Sequence, residues 1–185
     1  MNGPADPARR TGAGRKTVAR PKPRPQCAAL PYRLASGLEI LLVTSRETGR
    51  WVIPKGWTMR SKTRREVAAL EALEEAGVEG RIVKKSLGAY NYQKILRSGQ
   101  SQACRVTVYA LQVTTQHDSW REQDQRSSQW FAWDAAAAAV DEPGLTRLIK
   151  RFAKSARAVG GDVRAATAES PEAVEGLTLE DVVAE

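Results

Sequence analysis

The chain has 185 residues, of which 42% are hydrophobic, enough for one sizeable core and hardly for two, so one domain with tails is expected. Its two cysteines, Cys27 and Cys104, stand apart from other metal-binding residue types and His117 is the single histidine, which argues against a thiolate or imidazole zinc site and leaves Ser-His-Asp and Cys-His catalysis without support. No apolar run reaches the roughly 18 residues that span a bilayer, the start lacks the apolar block of a secretory signal, and a cytoplasmic protein without membrane contact is expected.

The formal charge of +8 is unevenly spread. Arg9, Arg10, Arg15, Lys16, Arg20, Lys22 and Arg24 crowd the beginning, whereas Glu169, Glu172, Glu175, Glu180, Asp181 and Glu185 load the end. Residues 1–25 hold almost nothing large and apolar, so burial cannot offset ordering entropy and a disordered basic segment is expected. Cys27 to Leu34 and Leu38 to Thr44 read as two strands joined at Ala35-Ser36-Gly37. Trp51-Val52-Ile53 then runs into a turn at Pro54-Lys55-Gly56.

Thr63 with Glu66 three residues on forms a capping box that opens a helix, and Gly77 is placed to close it. Along this helix Ala69, Ala72, Leu73 and Ala76 make a packing arc, and Glu71, Glu74 and Glu75 make another. Further strands are expected within Ile82 to Tyr92, at Arg105 to Val113, and at Trp130 to Trp133. Asp134 is placed to cap a short alanine-rich helix, and Leu145, Leu148, Ile149 and Phe152 share one side of a helix from about Leu145 to Ala153. From 155 to 185 the composition turns to Gly, Ala and acid, which predicts a mostly disordered tail with a helical turn near Leu177 to Val183. This order of elements fits a mixed sheet covered by helices, an α/β protein, and leaves several arrangements open.

Three carboxylates at i, i+3 and i+4 repel one another on a helix face unless a cation binds them. A hard divalent ion such as Mg2+ or Mn2+ takes oxygen ligands of this kind and shares its shell with substrate phosphates. Glu-rich surface helices show the same spacing, so the glutamates alone do not decide. The stretch Ala68-Ala-Leu-Glu71-Ala-Leu-Glu74-Glu75-Ala-Gly77-Val78, lying where it does after Gly56, resembles the signature of the Nudix hydrolases, G-x5-E-x7-R-E-U-x-E-E-x-G-U with U aliphatic. Gly56, Glu71, Glu74, Glu75, Gly77 and Val78 fall in register. Lys62 stands at the first glutamate and Leu70 at the arginine, a loss of two polar groups that in the family help hold the loop and the glutamates.

The resemblance implies the Nudix fold, a mixed β-sheet in an α/β/α sandwich, over residues 26–154. It also implies Glu71, Glu74 and Glu75 as ligands of Mg2+ or Mn2+, and metal-dependent cleavage of a phosphoanhydride bond. Glu74 or Glu75 is then the acceptor of the water's proton, and Glu122, in a polar loop, is a second candidate by position. Ser45 to Pro54, Val106 to Thr114, Asp118-Ser-Trp120 and Gln129-Trp130-Phe131 resemble the diphosphoinositol polyphosphate and diadenosine polyphosphate phosphohydrolases, although Gln129 replaces a glutamate common in that branch. Arg46, Arg50, Lys55, Gly56 and Lys62 are the expected contacts for an anionic phosphorylated substrate. Trp57 either stacks on an adenine or packs the loop, and Tyr90 and Tyr92 point the same way from one strand.

Two other readings remain. One is an ADP-ribose or other nucleoside-diphosphate-linked hydrolase. The other is a low-activity phosphate- or RNA-binding relative, whose basic arm lacks an aromatic residue for base stacking and so suits nonspecific contact alone.

Overall fold

In the computed structural model, which describes residues 22–96 and 98–169, the central strand β1 (Arg24–Leu34) divides two apolar layers by simple alternation. Cys27 and Ala29 face one side, while Ala28, Leu30 and Tyr32 face the other. β2 (Leu38–Thr44) repeats the pattern, Leu41 and Val43 against Leu38, Ile40 and Leu42. β3 (Trp51–Val52) and β4 (Lys55–Trp57) follow. Helix α1 (Arg64–Ala76) leads into β5 (Val78–Ile82), β6 (Gly88–Ile95) and the long β7 (Ser101–Gln116). A single 3-10 turn (Gln123–Gln125) precedes β8 (Ser128–Ala132), and α2 (Trp133–Ala139) and α3 (Pro143–Glu169) close the described chain.

The eight strands form one mixed sheet along the path β3-β2-β1-β7-β5, with β4 paired to β1, β6 to β7 and β8 to β2. β1 and β7 run parallel, Ala28 opposite Val108, and the other pairs are antiparallel. Val67, Ala68, Ala72 and Ala76 of α1 cover one face with Tyr109 and Leu111, and Leu145, Leu148, Ile149 and Phe152 of α3 cover the opposite face with Val106, Val108 and Ala110. This is the α/β/α sandwich expected from the resemblance.

Several local expectations change. Pro54-Lys55-Gly56 is not a free turn, because Lys55 and Gly56 pair with Ala28 and Cys27 of β1. The buried arc of α1 takes Val67 and Ala68, while Ala69 and Leu73 are half-buried. Glu75 lies on that buried side, since it sits three and seven residues after Ala72 and Ala68. The stretch Ile82 to Tyr92 divides between β5 and β6, and β7 outruns Arg105 to Val113 at both ends because β1, β5 and β6 all pair with it.

Asp134 is not the cap of α2. The helix already begins at Trp133, and the Asp134 carboxylate accepts from the N–H of Ala135 at 2.9 Å. α3 continues past Ala153 to Glu169. The basic segment before residue 22 and the expected helical turn near Leu177 to Val183 lie outside the described residues. Among the described residues no helix is long and apolar enough to cross a membrane.

Candidate active site

The capping box places α1. Thr63 accepts from the N–H of Glu66 at 3.3 Å, and the Thr63 N–H donates to the Glu66 carboxylate at 2.7 Å. At the other end Gly77, with φ 65°, closes the helix by donating to the Leu73 carbonyl at 3.0 Å. The loop after β7 is tied to this end, since His117 N–H donates to Gly77 O at 2.8 Å and Glu122 N–H to Glu74 O at 3.1 Å. These bonds bring Arg121, Glu122 and Arg126 beside the glutamates of α1.

A second anchored loop faces them. Ser45 N–H donates to Arg50 O and Gly49 N–H to Ser45 O, both at 2.8 Å, so the segment carrying Arg46 and Arg50 is a tight turn. Between the loops lies a cleft of about 260 Å³. Glu71, Glu74, Glu75 and Glu122 line it together with Arg46, Arg50, Lys55, Gly56, Lys94, Arg121 and Arg126. Lys62 is exposed before α1 and does not line the cleft.

The carboxylates differ in what holds them. Glu75, 6% exposed, accepts from the Lys55 N–H at 3.1 Å and from the Arg126 guanidinium. Burial raises its pKa, against the pull of Lys55 and Arg126. Glu74 accepts from Arg121 at 2.6 Å through Oε1. Glu122 accepts from Arg126 at 2.7 Å and from Arg46 at 3.3 Å. Glu71 has no hydrogen-bond or ion-pair partner among the described residues, and burial, then Glu75, Glu74 and Glu122, push its carboxyl up to about 7. Its carboxylate rests directly on Gly56, in the space a side chain there would need.

Two aromatic rings of the cleft, those of Trp57 and Tyr92, carry cations. The Arg24 guanidinium lies 4.2 Å from the centre of the Trp57 ring and the Lys94 ammonium 5.5 Å from it. Lys55 Nζ is 5.8 Å from the Tyr92 ring, whose hydroxyl donates to the buried Gln26 at 2.7 Å. Burial lowers Lys55 to about 8, with Glu75 and Glu142 opposing that shift. Arg50 reaches the buried Glu142 at 3.3 Å. Tyr90 lies beside Tyr92 as expected, ring centres 6.1 Å apart, and belongs to the core.

A hard divalent cation fits the chemistry of this cleft. The donors are oxygen, Glu71 is unsatisfied, and the two positive charges of such an ion offset the repulsion among four clustered carboxylates. Among the described residues no three such groups converge as a preformed metal site, because arginines hold Glu74, Glu75 and Glu122. Glu71, with the second oxygen of Glu74, is what remains open.

Comparison with known proteins agrees with this arrangement. No family model matches the chain. Over 123 residues it is 31% identical to Nudix hydrolase 16, mitochondrial, of Arabidopsis thaliana, a match that covers 63% of this chain and 67% of that protein. The chain belongs to the Nudix hydrolase family. It is also 31% identical over 109 residues to human diphosphoinositol polyphosphate phosphohydrolase 3-beta, covering 57% of this chain and 62% of that Nudix relative. Across three Arabidopsis relatives the match spans 58% to 67% of their length. Among solved structures, that of a C. elegans Ap4A hydrolase binary complex superposes with a TM-score of 0.54 at 19% identity, over 74% of this chain and 98% of that one, which supports the Nudix fold.

Sequence reasoning did not find Arg121, Arg126, Lys94 or Gln26. No motif spacing marks them, because Arg121 and Arg126 reach the cleft from the loop between β7 and β8, Lys94 from β6 and Gln26 from β1. The dense pairing of Arg126 is visible only once β2 and β8 lie side by side.

Proposed function

We propose that this Nudix protein is a metal-dependent pyrophosphohydrolase that cleaves a phosphoanhydride bond in highly phosphorylated small molecules. One observation carries the reading: the carboxylates of α1 and Glu122 line one cleft together with Arg46, Arg50, Lys55 and Lys94. Glu71, Glu74 and Glu75 would hold Mg2+ or Mn2+, which when bound neutralises phosphate charge and acidifies water.

The chain's own residues do the rest. Arg46, Arg50 and Lys55 bind and orient the phosphates around the scissile bond. Gly56 leaves room for Glu71. Glu75 is fixed through both oxygens by Lys55 N–H and Arg126, whereas Glu74 keeps Oε2 without a partner among the described residues and would reach the cation through it. Glu122 holds Arg46 and Arg126 in place.

The same cleft favours a substrate whose remote part is anionic. Trp57 and Tyr92 are the aromatic residues that line it, and each already carries a cation, so a base gains little stacking surface while further phosphates meet Lys55 and Lys94. This favours diphosphoinositol polyphosphates, the substrate class in the human relative's name, over dinucleoside polyphosphates and ADP-ribose. Both cysteines are free and buried, which suits a reducing compartment such as the cytoplasm.

The test is phosphate release with Mg2+ or Mn2+ across diphosphoinositol polyphosphates, diadenosine polyphosphates, ADP-ribose and nucleoside triphosphates, beside a Glu74→Gln/Glu75→Gln control. Turnover that is highest on the first class and lost in the control supports the reading. A folded protein silent on the whole panel overturns it.

A further inference from the structure

We infer that Arg126 is a positioning residue, which holds Glu75 and Glu122 in register from the sheet side and takes over the work that the family motif gives to an arginine where this chain has Leu70. The kinetic part of this inference rests on the hydrolase reading above.

The guanidinium uses each of its nitrogens on a different element. Nε donates to Glu122 Oε2 at 2.7 Å, Nη1 to the Thr44 carbonyl at 2.8 Å, and Nη2 to Glu75 Oε1. The side chain is 6% exposed. Its backbone is anchored equally well, because the next residue, Ser127, exchanges hydrogen bonds with Thr44: Thr44 N–H donates to Ser127 O at 2.9 Å and Ser127 N–H to Thr44 Oγ1 at 2.9 Å. A planar fork with fixed donors, rooted where β2 meets β8, therefore sets the orientation of a carboxylate on α1.

Leu70 cannot do this. It lines an apolar groove with Ala69, Leu73 and Leu111, and that groove shares no residue with the cleft. Removing an arginine and a glutamate from the motif together strands no charge, but it leaves the α1 carboxylates without their usual brace. Arg126 supplies one from 56 positions further along the chain than Leu70. The third contact, to the Thr44 carbonyl, separates this role from that of a cation merely filling a metal's place, since it anchors the guanidinium to the backbone of β2.

Three measurements on full-length Arg126→Leu and Arg126→Lys test the assignment: Mn2+ affinity by the paramagnetic resonance of free Mn2+, kcat and KM on the best wild-type substrate, and hydrogen exchange of residues 53–57 without metal. Loss of a brace behind a metal ligand typically weakens binding by about 10–100-fold. The expected result for Arg126→Leu is a loss of that size in Mn2+ affinity and a matching fall in kcat, with KM little changed and faster exchange at the Lys55 amide. Arg126→Lys, which keeps the charge and loses the fork, is expected to recover part of the Mn2+ affinity, and it serves alone should the leucine variant not fold, showing a smaller loss against wild type.

Unchanged or tighter Mn2+ binding in the folded variants overturns the inference, and tightening would show that Arg126 competes with the metal. A wild type that neither binds Mn2+ nor turns over any substrate defeats the hydrolase reading and the metal arm with it, while the exchange of the Lys55 amide still decides whether Arg126 positions Glu75.

Discussion

The Glu71 carboxylate occupies the space that a side chain on Gly56 would fill. Glycine is required here by close approach, since β4 brings its backbone against the end of a charged side chain on α1. In Gly56→Ala the flexible end of Glu71 must swing away, whereas the backbone pairing of Gly56 with Cys27 survives. The expected variant is folded, with a melting temperature near that of the wild type and a loss of about 10–100-fold in Mn2+ affinity. Unaltered metal binding would show that Glu71 is not a ligand.

Glu75→Gln separates position from charge. The amide keeps an acceptor for the Lys55 N–H and loses the ion pair with Arg126. The fold should persist, and kcat should fall on the order of 100-fold or more. A variant as fast as the wild type would remove Glu75 from the reaction.

Gly77 serves stability. It holds φ 65° at the end of α1, and the Trp120 ring packs where its Cβ would stand. Gly77→Ala therefore combines left-handed strain of about 1–2 kcal/mol with displacement of the indole. Urea unfolding is expected to show a loss of at least that size, and because Trp120 belongs to the loop that presents Glu122, activity should fall with it.

Arg50 neutralises a buried acid. Glu142 is 6% exposed, and its Oε2 has no hydrogen-bond partner among the described residues. Arg50→Ala leaves that carboxylate without its guanidinium, at a cost of about 1–3 kcal/mol, as well as weakening substrate binding. Adding Glu142→Gln should restore stability and leave KM raised. Failure of the second change to restore stability would mean that the pair is not coupled.

Lys62→Glu with Leu70→Arg would rewrite the motif toward the family form. Lys62 lies outside the cleft, and Leu70 opens into the apolar groove. The pair is expected to leave Mn2+ affinity and rate unchanged, and a gain in either would show that Arg126 does not fully replace the motif arginine.

Much of this could be read along the chain, because the features concerned are local. Thr63 and Glu66 cap α1 within one turn, Gly77 closes it, and the spacing of Glu71, Glu74 and Glu75 follows from helical geometry. The apolar run Leu38 to Thr44 likewise names a strand, and the structure buries it on both faces. Where local rules compete with pairing they misled. Lys55 and Gly56 resemble a turn in isolation, yet β1 offers them strand partners. Ala69 and Leu73 are apolar, but the sheet covers the neighbouring arc of α1.

What only the tertiary structure decided is which charges meet. Nothing in the order of residues sets Arg126 against Glu75, 51 positions away, or stacks Arg24 on Trp57. Arg24 meets Trp57 because β1 pairs with β4, and Arg126 meets Glu75 because the loop before β8 is anchored on β2. The sequence by itself determined the helix, its three carboxylates and the glycine they need. The fold determined that arginine braces from a remote loop hold those carboxylates, since an ion pair depends on distance in space and the chain specifies that distance only by packing.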